Sequence, residues 1–380
     1  MTSHPAGAPR RAALPARLPV RLLATGSLAF ALLGIVPSLY GVALPSWTAA
    51  FGLGEGEAAR ILSAHGLGAF LAVAAGIAGL SLLTMRVGLG LLAAGAALMA
   101  GGWGWFPTLA GALVGGMGYG TVSVVVNRRV LIESGGRGPG MVGIVNAVFG
   151  LGAIAAPVLF LWAAGRPGPV LWGLAAGTAL LALAAAPEPF GSRAPRGLPP
   201  LRDRRLLILL FNVAGIAIEV ALPGLGASAL LDLGLTEPDA ARLTSAFFAT
   251  FLLARLALWW LTRLIAADRL VLLALGGAGA SAALASMGLP SLGFVLSGAF
   301  VGLFFPSFYV WGTQVLGGDA RLGSAILTSG LLGATLGPIL LEPILAHTGE
   351  AGVFPAMATL GLGAALAFAA VAARRRAAPA

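Results

Sequence analysis

Runs of about 20 apolar residues, parted by short polar or Gly- and Pro-bearing breaks, fill the chain from residue 20 to residue 373. The runs do not alternate apolar with polar, so they match spanning α-helices and not the ~10-residue alternating strands of a membrane barrel. They predict spans at 20–44, 58–83, 87–106, 108–131, 141–163 and 168–187. After a break, six more follow at 205–232, 242–263, 268–288, 291–315, 323–346 and 351–373. The break itself, EPFGSRAPRGLPPLRDR at 188–204, is rich in Pro and Arg. Residues 1–19 read as a polar tail and 374–380 as a second, shorter one. The expected architecture is therefore an all-α membrane protein. A first six-helix bundle covers 20–187, a linker 188–204, and a second six-helix bundle 205–373. A signal peptide does not account for the first span, because no small-residue cleavage site follows a short apolar core.

Composition agrees with this pattern. Of 380 residues, 58% are apolar and only 9% charged, with a mean hydropathy of +0.96. A water-facing domain carries roughly 25% charged residues, so most of this surface must meet lipid. In lipid the backbone must satisfy its own N–H and C=O groups, which again selects helices. Charge then sets the orientation. All 23 basic residues are Arg, and 19 of them fall on one side of the alternating connections: Arg10, Arg11, Arg17, Arg21, Arg86, Arg128, Arg129, Arg137, Arg193, Arg196, Arg202, Arg204, Arg205, Arg263, Arg269, Arg321 and Arg374 to Arg376. The other side has Arg60, Arg166 and Arg242, and Arg255 falls inside a span. Nineteen against three places both termini and the linker in the cytoplasm. The net charge of +10 does not indicate nucleic-acid binding, since the arginines form no continuous basic face. Absence of Cys excludes disulfides, thiolate metal sites and cysteine nucleophiles.

The halves repeat. Gly111-Ala-Leu-Val-Gly115 in span 4 returns as Gly298-Ala-Phe-Val-Gly302 in span 10. Gly152-Ala-Ile-Ala-Ala156-Pro157 in span 5 returns as Gly333-Ala-Thr-Leu-Gly337-Pro338 in span 11. LSAHGLGAFL from Leu62 opens span 2, and LTSAFFATFL from Leu243 opens span 8. Three matches in one order, each six spans apart, imply two pseudo-symmetric halves, an arrangement suited to alternating access at a central site.

A 6+6 plan with a basic central linker resembles the major facilitator superfamily. Several stretches resemble its sugar-permease branch, which includes the fucose permeases. These are GVALPSWTAAFGLGEGEAARILSAHGLGAFLA at 41–72, GMGYGTVSVVVN ending at Asn127, and VNAVFGLGAIAAPVL at 145–159. In span 7, GIAIEVALPGLGASAL puts Glu219 at the branch's acidic position, with Leu225 where a Trp is expected. Ser123 stands where the fourth helix of that branch has an acid, and FLLARLALWWLTR puts Arg255 where a Gly-Arg pair is common. The superfamily's loop after helix 2, Gly, three residues, then Asp-Arg-x-Gly, is altered. Here it reads Ser81-Leu-Leu-Thr-Met85-Arg86-Val-Gly88, without the acid, and the loop around Thr262 and Arg263 lacks it too. The resemblance implies a secondary transporter for a small polar solute, sugar-like and proton-coupled, acting without a cofactor and complete as a monomer.

Ionisable groups inside a bilayer are costly, so each needs a reason. Glu219 and Arg255 lie well inside spans, about 20 and 12 Å from the cytoplasmic face at 1.5 Å per residue. Two readings stand: Glu219 takes and releases a proton as solute moves, or the two form a fixed pair pinning spans 7 and 8. Tyr119, Ser123 and Asn127 stand four apart on one stripe of span 4, Asn212 shares a face with Glu219, and Ser307, Trp311 and Gln314 share one in span 10. Spans 1, 4, 7 and 10 line the cavity in the resembled superfamily, which adds Tyr40 from span 1; Asn146 joins the set from span 5. Aromatics beside amides and hydroxyls suit a neutral polar ligand, and interhelical hydrogen bonding is the plainer use of each. Arg86, Gly88, Gly152, Pro157, Gly333, Gly337 and Pro338 are gating or packing candidates. His65 reads as a hydrogen-bonded histidine at a helix end, Glu342 as a hydrated carboxylate at the outer boundary, and Trp103 with Trp105 as an interfacial belt.

Catalytic constellations are missing: the three His are far apart, no metal spacing occurs, and no phosphate-binding Gly-rich loop follows a strand. An enzyme is not expected. Driving energy would come from a gradient. An exporter of amphiphilic compounds is the alternative reading, kept open by the partial antiporter motif at Gly152, Ala156 and Pro157; a membrane sensor without flux is a third.

Overall fold

The computed structural model describes residues 19–79, 83–185, 204–317 and 321–377. The expected N-terminal tail and linker lie outside the described residues except for Pro19 and Arg204, and so do Ser81 and Leu82 of the altered loop after span 2. Among the described residues there are twelve α-helices. They are α1 (Val20–Phe51), α2 (Arg60–Ile77), α3 (Met85–Ala100), α4 (Trp105–Glu133), α5 (Gly138–Trp162), α6 (Pro167–Ala184), α7 (Leu209–Asp232), α8 (Glu237–Leu264), α9 (Ala267–Ser286), α10 (Pro290–Leu316), α11 (Arg321–Thr348) and α12 (Val353–Ala377). Eleven are long and apolar enough to cross a membrane, and α3, at 16 residues, is shorter. Phe106, Trp162, Leu183 and Leu366 stand more than two-thirds exposed on the outside, as lipid-facing side chains do.

Two ends differ from the expected ones. Helix α1 continues past residue 44 to Phe51, passing through Pro37 and Pro45, and stops at Gly52, whose φ of 62° supplies the left-handed cap. Pro45 does not end the helix because a packed neighbour can satisfy the backbone group that a proline frees. Helix α12 runs to Ala377, so the expected tail begins as helix, and Arg374 and Arg375 stand near its end, where cations complement the helix dipole.

The packing repeats with the sequence. In the first half α1 packs on α5, α2 on α4, and α3 on α4 and α6; in the second, α7 packs on α11, α8 on α10, and α9 on α10 and α12. Adding six to each first-half helix gives the second-half pair. Glycine makes the close crossings possible. A Cβ on Gly152 would strike the Ala31 carbonyl, and one on Gly333 the Val213 carbonyl, so this pair of repeat positions performs one task twice. The span 4 and span 10 match needs correction. Gly298 and Gly302 press on the Phe247 and Phe251 carbonyls of α8, whereas Gly111 faces Gly95 and Met99 of α3. The counterparts of Gly298 and Gly302 are Gly116 and Gly120, which press on the His65 and Ala69 carbonyls of α2. In a glycine-rich chain, residue identity alone does not fix the register.

The halves meet along α2 with α11, α5 with α8, and α1 with α7. By the charge-derived orientation these meetings lie in the middle and outer part of the helices. Gly41 of α1 abuts the Pro223 carbonyl of α7, and Leu62 of α2 lies over Gly224. At the outer ends Arg60 grips both carboxylate oxygens of Glu342, through Nε to Oε2 at 2.9 Å and through Nη2 to Oε1, and its Nη1 reaches Glu57 Oε1 at 2.8 Å. Glu350 accepts a hydrogen bond from the Gly56 amide at 3.0 Å, and Ser245 of α8 donates to the Ile154 carbonyl of α5 at 3.0 Å. At this end, the outer one by the charge-derived orientation, the two halves are in contact. Glu342, expected as a merely hydrated carboxylate, is a clasp between the halves.

Candidate functional site

Glu219 lies midway along α7, four residues before Pro223. A proline has no N–H to give, so the Glu219 carbonyl loses its helical partner and α7 is weakened at this point. Arg255, on α8, donates from Nη2 to Glu219 Oε1 at 2.9 Å, and its guanidinium lies 4.2 Å from the centre of the Phe251 ring. The side chains are 17% and 25% exposed for Glu219 and Arg255 respectively, so the pair is neither sealed nor bathed in water. Its valences are not filled: Glu219 Oε2 and Arg255 Nε are buried atoms without a hydrogen-bond partner. Of the two readings, the ion pair is formed in this conformation, and it holds polar capacity in reserve.

Tyr119 of α4 belongs to the other half, and its phenol lies within electrostatic reach of both Arg255 and Glu219. Tyr119, Ser123 and Asn127 form a half-buried stripe, as their spacing predicts. At its cytoplasmic end Asn127 Oδ1 accepts a 2.8 Å hydrogen bond from Asn146 Nδ2, which also reaches the Val142 carbonyl, so Asn146 ties α5 to α4.

Several expected cavity residues stand elsewhere. Tyr40 is buried, its hydroxyl 3.2 Å from His65 Nδ1 and 3.6 Å from the Met99 sulfur. Asn212 is fully buried; its Nδ2 donates to the Ile326 carbonyl at 2.7 Å and to Ser329 Oγ at 2.9 Å, pinning α7 to α11. Ser307 and Trp311 are buried, Trp311 with its ring centre 4.6 Å from that of Phe368, while Gln314 is exposed. Helical spacing put these residues on shared faces but did not say which neighbour the face would meet.

The gating and packing candidates resolve into backbone contacts. Pro157 deprives the Ala153 carbonyl of its helical partner, and Ser38 of α1 supplies one with a 2.7 Å hydrogen bond. Pro338 does the same to Ala334, whose carbonyl faces Gly66, and Gly337 lies against Ala217. Gly88 lies against Thr121 and Val122 of α4. Arg86 donates to the Ala185 carbonyl at 2.8 Å and Arg21 to the Ala184 carbonyl at 3.0 Å, so two cations cap the C-terminal end of α6.

Three residues emerge only from the structure. His65 lies inside α2, more than a turn from its start, with its ring edge-on to Tyr40 and Tyr119 at 5.4 and 5.0 Å. It is not a helix-end histidine. Arg60 looked like one of three outer arginines, and Ser38 like one small polar residue among many. Trp105 corrects the belt: it is buried against Phe51, and Trp103 alone of the two is exposed.

Searches for relatives give a structural answer and no sequence one. No family model matches the sequence, and no curated protein matches it. Solved structures match over nearly the whole chain. The nucleoside transporter NupG superposes with a TM-score of 0.75 at 15% identity, covering 93% of this chain and 99% of that one. The outward conformation of FucP, described as a major facilitator superfamily transporter, gives 0.61 at 17% identity over 92% and 98%. The partially occluded inward-open xylose transporter XylE from E. coli gives 0.71 at only 10% identity, over 92% and 98%. Twelve helices, matched halves and these superpositions together show that the chain has the fold of the major facilitator transporters.

Proposed function

We propose that the protein is a secondary transporter that moves a small polar, sugar-like organic solute across the cytoplasmic membrane by alternating access, coupled to protons through Glu219. Both termini and the linker lie on the cytoplasmic side, and one chain, holding both halves, acts as a monomer. One observation carries this reading: an incompletely satisfied Glu219–Arg255 pair stands at mid-depth beside a proline-weakened helix, below an outer seam where the two halves are in contact. Ionised groups are kept at such depth only where they act or are paired. This pair is formed yet leaves a carboxylate oxygen and a guanidinium N–H free for a ligand. Protonation of Glu219 cancels its charge and frees Arg255 to turn to the solute; loss of the proton restores the pair. Solute and proton thereby compete with the same contact, which is what coupling requires.

The superposed proteins include one titled a fucose:proton symporter, one a nucleoside transporter and one a D-xylose-proton symporter. A panel of L-fucose, D-xylose and uridine therefore opens the test in proteoliposomes. The wild type should accumulate at least one of them under an imposed pH gradient. Glu219→Gln should lose that accumulation while keeping solute exchange at equal pH. Unchanged pH-driven accumulation in the variant removes the coupling, and no flux of any solute by the wild type across a wider panel of polar compounds removes the transport reading.

A further inference from the structure

The transport reading places solute contacts on the second half only, at Glu219 and Arg255. The first half has a group suited to receive the other end of the same solute, and it belongs to a residue outside the sequence-derived site. His65 is only partly buried, yet its ring is held by two tyrosines. Tyr40 Oη is 3.2 Å from Nδ1, the Tyr40 ring meets it edge-on at 5.4 Å, and the Tyr119 ring at 5.0 Å. Tyr119 in turn abuts Phe149 at 6.4 Å. The result is an aromatic wall with few polar atoms. Among the described residues neither His65 Nε2 nor Tyr119 Oη has a hydrogen-bond partner, and neither is among the buried unpartnered atoms. Both are reachable. The Tyr119 phenol is also within electrostatic reach of Arg255 and Glu219 on the opposite half.

Tyr40 gives the imidazole its direction. Its hydroxyl lies between His65 Nδ1 and the Met99 sulfur, a weak acceptor, and it has no other partner. If the hydroxyl points to sulfur, Nδ1 donates to it and Nε2 is a bare acceptor; if it points to Nδ1, Nε2 carries the hydrogen and donates. Either way Tyr40 occupies Nδ1 and leaves one directional polar atom, Nε2, for a partner outside the wall.

We infer that His65 is a solute-contacting, specificity-determining residue, with Tyr40 as its positioning residue. This rests on the transport reading and adds to it a second contact point on the opposite half. The solute that fits bears a hydroxyl or amine that meets Nε2, a ring or carbon face that lies on Tyr119, and a polar end that reaches the Glu219–Arg255 pair.

The test has two arms. The first needs no solute. The chain has three histidines, and His347, exposed at the outer end of α11, serves as an internal reference. Diethyl pyrocarbonate applied to the reconstituted full chain, with modification read by mass spectrometry, should label His65 at a rate within about tenfold of His347. His65 left unmodified when His347 is fully modified overturns the inference. The second arm measures exchange of L-fucose, D-xylose and uridine. His65→Phe keeps the ring and drops the polar atom, and it should raise KM about tenfold, the effect of one lost hydrogen bond, with maximal rate nearly held. His65→Gln, which restores a polar atom near the Nε2 position, should recover most of that loss. Equal KM in His65→Phe and wild type overturns the inference. Absence of flux in the wild type defeats the transport reading instead, and the labelling arm still decides whether His65 faces an aqueous route.

Discussion

Replacing Arg60 by Gln should open the outer side of the molecule by a measurable amount. Arg60 is the one cation in the seam described above. It is held by Glu342 of the opposite half through two contacts and by Glu57 of its own half through a third. Its side chain is 45% exposed and that of Glu342 24%, so water screens the attraction. Exposed pairs contribute about 0.2–1 kcal/mol, and bidentate geometry with a shared third charge puts this one near the top of that range. About 1 kcal/mol corresponds to about a fivefold shift in the ratio of closed to open outer forms. The chain has no Cys, so a single Leu62→Cys reporter can be read without background. Leu62 is 5% exposed and covers Gly224 across the seam, and it is reached from outside only when the halves part. Labelling by a membrane-impermeant maleimide added outside should become about fivefold faster with Arg60→Gln. Glu342→Gln should give nearly the same factor, and the double variant little more, because both remove one contact. Added salt should speed the wild type and leave the variants unmoved. A labelling rate in Arg60→Gln equal to that of the parent would refute the reasoning and reduce the clasp to an incidental surface pair.

Ser38→Ala should lower stability by about 1–2 kcal/mol in a thermal or denaturant series, because it strands the Ala153 carbonyl. Pro157→Ala in the same background should recover much of it by returning a helical N–H to that carbonyl, a coupling that a double-mutant cycle reads directly. Gly152→Val should cost about 2 kcal/mol or more and lower the melting temperature, since its side chain has no room beside Ala31. Gly173→Ala, where nothing lies within 4 Å of the new methyl, should be neutral or slightly stabilising. Arg255→Leu should destabilise by about 3 kcal/mol by leaving Glu219 without its counter-charge, and adding Glu219→Gln should restore much of that.

The number and order of the helices were legible in the residues, because the cost of exposing backbone in lipid acts on every 20-residue stretch independently of its neighbours. The repeat was legible in outline for the same reason: Gly152 with Pro157 and Gly333 with Pro338 are local features that each half needs for its own close crossing. Local periodicity also placed Tyr119, Ser123 and Asn127 on one stripe, and it brought Glu219 and Arg255 to bridgeable depths. Which face meets which neighbour is another matter. Tyr40, Asn212 and Trp311 share helix faces that spacing cannot distinguish from a cavity wall, and the packing of α2, α11 and α12 put them inside. Arg60 and Glu342 are far apart in the chain, and so are Tyr40, His65 and Tyr119. Nothing in either neighbourhood marks them as partners. Arg60 and Glu342 meet because two half-bundles close on each other along α2 and α11, whereas Tyr40, His65 and Tyr119 meet inside the first half, where α2 packs on α4; both are consequences of small residues summed over many crossings. Each span was thus determined by its own transfer from water to lipid, whereas the clasp, the aromatic wall and the formed ion pair were decided by how twelve such spans fit together.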